Sequence, residues 1–94
     1  MNFSTFKQSL AANEPSQNVS VYLKALWYDA KGEWEKAHVL IQDVEDKNAA
    51  WIHAYLHRKE GDTTNADYWY RRADKIMPAV SLDIEWEEIV TALL

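Results

Sequence analysis

Only four residues in this 94-residue chain are suited to breaking regular backbone: Gly32, Gly61, Pro15 and Pro78. Glycine adopts the left-handed conformation that ends a helix without steric cost, and proline cannot continue a helix. Between these marks the apolar residues recur at i, i+3, i+4 and i+7, the period of a helix that buries one face. In Val19, Tyr22, Leu23, Leu26, Trp27 and Ala30 this period leads straight into Gly32. The pattern predicts an all-α domain built of short antiparallel helices.

Six helices are expected. A short amphipathic one covers about residues 3–12, with Phe3, Phe6 and Leu10 on its stripe. The second runs from about Gln17 to Lys31, and the third from Glu33 through Trp34, Ala37, Ile41 and Val44. Asn48 is a suitable N-cap for the fourth, which carries Trp51, Ala54 and Tyr55 to Gly61. Asp62 caps the fifth, with Ala66, Trp69, Tyr70, Ala73 and Ile76 in register and Pro78 as its end. Ser81 opens the sixth, over about residues 82–94, where Leu82, Trp86, Ile89, Val90 and Leu93 oppose Asp83, Glu85, Glu87 and Glu88.

The two glycines lie 29 residues apart and their surroundings match: each closes a helix, is followed by a carboxylate, and has an alanine five positions later, Ala37 or Ala66. This marks two helical hairpins, at about 18–46 and 48–77, in which a small alanine lets paired helices approach closely. Tyr28, Gly32, Ala37 and Val44 in the first unit, and Ala54, Gly61, Ala66, Ala73 and Pro78 in the second, resemble the tetratricopeptide repeat family. The run Ala66-Asp67-Tyr68-Trp69-Tyr70-Arg71-Arg72-Ala73 is similar to the second helix of the related Sel1-like repeats, and the stretch from His53 through Ala73 resembles a segment of small uncharacterised bacterial proteins. The resemblance covers about 60 of the 94 residues. It implies a right-handed stack of hairpins with the first and sixth helices as caps. Lys24 and His53 stand where the family is usually apolar, His57 stands where tyrosine is usual, and the first unit is shorter than the usual period.

Acidic residues outnumber basic ones 15 to 10, giving a formal charge of −5. That balance argues against nucleic acid, whose phosphates must be neutralised by basic surface. Disulfides and thiolate metal sites are excluded because there is no cysteine. No stretch reaches the roughly 18 apolar residues of a membrane span, and residues 1–13 lack the pattern of a secretion signal. We therefore expect an intracellular, cytoplasmic protein with no nucleic-acid or membrane partner and no cofactor.

Four groups of residues invite a chemical reading. Carried over by position, Trp51, Tyr55 and Arg58, like Tyr22, Leu26 and Asp29 in the first unit, fall where the resemblance places a concave peptide groove. An aromatic floor edged by Arg58 and Lys59 suits a segment bearing a carboxylate, unless a terminal helix covers Trp51 and Tyr55 as core. His53 and His57 are one helical turn apart and can chelate a divalent ion. Glu60 shares their face, but lies seven residues from His53, about 10.5 Å along the axis, so a third ligand must come from elsewhere, His38 or an acid on a packed helix. Arg71 and Arg72 beside Tyr68 and Trp69 suggest a small-anion clamp, against which Asp67 stands four residues before Arg71 as a helix ion-pair partner. Asp62, Thr63, Thr64 and Asn65 read as a helix start.

The reading that follows is a non-catalytic interaction or scaffold module binding a peptide through Tyr22, Leu26, Trp51, Tyr55, Arg58 and Lys59. A metal-dependent or acid/base enzyme centred on His53 and His57 is one alternative, anion binding at Arg71 and Arg72 another. Two hairpins leave apolar ends uncovered, so a weak homodimer through the sixth helix is expected.

Overall fold

The computed structural model describes all of residues 1–94. At Gly32 and Gly61 the backbone takes φ of +81° and +89°, and the same stop is built at both. The N–H of Gly32 bonds the carbonyl of Asp29 while that of Glu33 reaches Tyr28; equivalently, Gly61 bonds Arg58 and Asp62 reaches His57. This is the Schellman arrangement, which satisfies carbonyls that a helix end would otherwise leave unpaired.

Six α-helices and no strands result: α1 (Phe3–Gln8), α2 (Val21–Ala30), α3 (Trp34–Ile41), α4 (Lys47–Lys59), α5 (Thr63–Arg72) and α6 (Leu82–Leu93), with one 3-10 turn at Ser9–Ala11. Helices α2 and α3 pack as one hairpin and α4 and α5 as another, with α3 against α4. Helix α6 crosses back over α2 and α4 and meets α1. The small residues expected at the crossings, Ala37 and Ala66, are fully buried.

Several boundaries differ from expectation, each for a local reason. Helix α2 begins at Val21 because the Ser20 hydroxyl accepts from the Leu23 N–H at 3.3 Å, while Gln17–Val19 form a turn on Ser16. Asp46, and not Asn48, caps α4, accepting from the Ala49 N–H at 2.8 Å. Helix α3 stops at Ile41, leaving Val44 in the following turn. Pro78 does not end α5. Asp74 does, at φ 58°, in a third Schellman stop made without glycine, with Lys75 N–H on the Tyr70 carbonyl at 2.9 Å. Aspartate tolerates the left-handed region better than most side chains.

The main core joins Phe6 of α1, Leu23, Leu26 and Trp27 of α2, Ile52, Tyr55 and Leu56 of α4, and Trp86, Ile89 and Val90 of α6. The α6 stripe is thus covered within the same chain, with Ile89 and Val90 at 0% exposure. This removes the premise for a dimer through α6. Glu85, assigned from sequence to the solvated face, is 1% exposed.

Candidate functional site

The face expected to hold a peptide is occupied by α6. Leu26 and Tyr55 lie in the core at 0% and 2% exposure, and the Trp86 indole N–H donates to the Leu26 carbonyl at 3.0 Å. The Arg58 guanidinium donates to Glu85 Oε1 at 2.8 Å and also to the Val80 carbonyl. Trp51 donates to Glu85 Oε2 at 3.3 Å, and Lys75 sits 4.0 Å over its ring. Tyr70 completes the ring of donors around that carboxylate, at 2.6 and 2.8 Å. Lys59 and Tyr55 both bond the buried Asp29, each at 3.0 Å. Tyr22 donates to Asp46 at the start of α4. Burial first, and the adjacent carboxylates next, push the Tyr55 and Tyr70 hydroxyls well above the usual tyrosine range. Leu26, Tyr55 and Arg58 are therefore covered by a helix of the chain itself, whose Glu85 carboxylate Arg58 holds.

Arg71 and Arg72 do not converge. Arg71 pairs with Asp67 at 2.9 Å in solvent, as the spacing predicts. Arg72 bonds the Tyr68 hydroxyl at 3.0 Å, stacks over Trp69, and lines a cavity with Asp43, Glu45 and Asp46. An anion would meet these acids. Asp62 is an N-cap, accepting from the Asn65 N–H at 3.2 Å.

The histidines form a different kind of site. The chain has three, and all three meet where α3 packs on α4. His53 and His57 stack on each other with ring centroids 4.8 Å apart. His38, brought in by α3, has its Nε2 3.0 Å from that of His53. One potential ligand atom from each lies within 4.8 Å of the others. Aromatic neighbours fix the rings: Trp34 stacks on His38 at 4.9 Å, and Trp69 stacks on the outer face of His53 at 4.0 Å. His57 turns its Nδ1 to Glu60 Oε2 at 2.5 Å.

Burial, together with the two neighbouring imidazoles, pushes His53 down to about 4. His38 is lowered by burial and by His57, with Glu35 and Glu60 partly opposing. Imidazoles held neutral keep the lone pairs that a metal ion needs. His38 was the open third position of the two-histidine spacing. Trp34 and the buried Glu85 had no place in any site read from the sequence, and Trp69 was read only beside Arg71 and Arg72.

Fold and site together define a six-helix all-α protein with α6 packed over α2 and α4 and a three-histidine cluster between its two hairpins. Comparison with family models, curated proteins and solved structures finds no match for the chain. No helix is long and apolar enough to cross a membrane.

Proposed function

We propose that this is a metal-binding helical protein whose ion is held by His38, His53 and His57. The observation that carries the reading is that every histidine of the chain lies in one mostly buried cluster drawn from two hairpins. Packing alone does not ask for this, because apolar side chains fill a helix interface without three polar rings to satisfy. The distances also suit an ion. Tetrahedral ligands bound at about 2.0–2.1 Å stand roughly 3.4 Å apart, close to the 3.0 Å between His38 and His53, and a ligand atom of His57 lies within 4.8 Å of both.

Three imidazole ligands with no thiolate favour zinc, copper(II) or nickel(II). Three protein ligands also leave a fourth position for water or a small exogenous ligand. The larger surface cavities are lined by other residues, which supports ion binding over substrate turnover. The paired Schellman stops, 29 residues apart, support a tetratricopeptide- or Sel1-like repeat stack as the frame.

The direct experiment loads metal-stripped protein with zinc and measures uptake by calorimetry. One ion per chain is expected, lost in His38→Ala and His53→Ala. Equal uptake by wild type and a variant lacking all three histidines would refute the reading.

The capture of Glu85 by Arg58 favours a second reading, a groove that recognises amphipathic helices bearing a carboxylate. A peptide of residues 81–94 should then bind the Glu85→Ala chain, in which α6 is loosened, more tightly than wild type. No difference between the two would count against it.

A further inference from the structure

The hydrogen bond between His57 and Glu60 has a consequence for the neighbouring rings. A carboxylate only accepts, so Nδ1 of His57 carries the proton and donates across the 2.5 Å contact. In the neutral ring the lone pair is then on Nε2. Glu60 is itself fixed by the turn. It is the C-cap of α4, its N–H bonds the Leu56 carbonyl at 3.2 Å, and the next two residues complete the stop, with Asp62 N–H on the His57 carbonyl at 3.0 Å. The same reversal that folds the second hairpin thus sets the backbone of the ligand and of its carboxylate.

The turn does not require this pair. Shifted by 29 residues, the first hairpin makes the same stop with Tyr28 and Lys31 in place of His57 and Glu60. There Lys31 reaches away to the Leu10 carbonyl at 2.6 Å, and Lys36 covers the Tyr28 ring at 4.8 Å. One hinge geometry therefore carries two chemistries, and only the hinge beside the other two histidines carries the acid.

Resting on the three-histidine reading, we propose that Glu60 is a positioning residue of the ion site, holding His57 in its Nδ1–H form so that Nε2 faces the ion. Glu60 Oε2 and His57 Nδ1, at 2.5 Å, are too close for both atoms to ligate one tetrahedral ion, whose ligands stand about 3.4 Å apart. An outer carboxylate of this kind orients the ring and raises its basicity as a ligand, and its loss weakens metal affinity by roughly 10–100-fold. Glu60 is exposed at the surface, so its replacement leaves the core intact.

The test compares wild type with Glu60→Gln and Glu60→Ala by two measurements. Long-range proton–nitrogen NMR of the metal-free protein reads the His57 tautomer, and competition with a chromophoric chelator reads zinc affinity. Wild type should hold the Nδ1–H tautomer. Glu60→Gln should keep it, because the amide oxygen still accepts, and lose about tenfold in affinity; Glu60→Ala should mix tautomers and lose up to about a hundredfold. One ion per chain should remain in each. A His57 tautomer and a zinc affinity both unchanged in Glu60→Ala overturn the proposal while leaving the three-histidine reading standing. Absence of zinc binding by wild type overturns both.

Discussion

Glu85→Ala tests whether α6 is held on the face of α2 and α4 by its acidic anchor. The Glu85 carboxylate is buried and receives Arg58, Tyr70 and Trp51. Removing it strands a guanidinium whose side chain is only 17% exposed, and breaking a buried pair from one side costs about 3–5 kcal/mol. For a chain of this length each kcal/mol moves the melting temperature by about 4–8 °C, so Tm should fall by at least ~12 °C. Urea unfolding followed by far-ultraviolet circular dichroism gives the free energy directly. The double variant Glu85→Met, Arg58→Met should recover most of the loss, since an apolar pair of similar volume removes the unpaired charge. A cost below about 1 kcal/mol for Glu85→Ala would refute the reasoning.

Two further perturbations follow from the same geometry. Gly32→Ala and Gly61→Ala meet open space but must hold φ near +81° and +89°, so each should destabilise by about 1 kcal/mol in urea unfolding; unchanged midpoints would contradict the hinge role. In metal-free protein, His53 is pushed down to about 4 by burial and its histidine neighbours, while the unfolded chain takes up that proton near pH 6.5. The folded state therefore binds fewer protons across this range. Stability should be full above about pH 6.5 and fall towards pH 4 by on the order of 3 kcal/mol, a loss that His53→Phe should reduce; a flat profile in wild type would contradict the assignment.

Much of the hairpin frame was legible because glycine at a helix end has few other uses. Gly32 and Gly61 therefore located both reversals. Asp74 escaped because an aspartate in the left-handed conformation looks like any surface acid, which left Pro78 as the visible stop. Asn48 was read as the cap of the fourth helix, and only hydrogen bonding reveals Asp46, two residues earlier, in that role. Glu85 was misplaced because it neighbours three other acids on α6, and nothing local reveals the Arg58, Tyr70 and Trp51 donors that meet it. In the cluster, the spacing of His53 and His57 was readable, but His38 arrives from 15 residues upstream through helix packing that no local pattern encodes. The cover over Leu26 and Tyr55 was hidden for the same reason: α6 and Arg58 become neighbours only in the folded chain.

The proposed function turns on where an ion sits. A crystal of the protein grown with zinc, with diffraction recorded on both sides of the zinc absorption edge, gives the position without assumption. The account predicts one strong anomalous peak per chain, within about 2.0–2.1 Å of one nitrogen each from His38, His53 and His57. A peak elsewhere on the acidic surface, with His38 still hydrogen-bonded to His53 and His57 to Glu60, would contradict it.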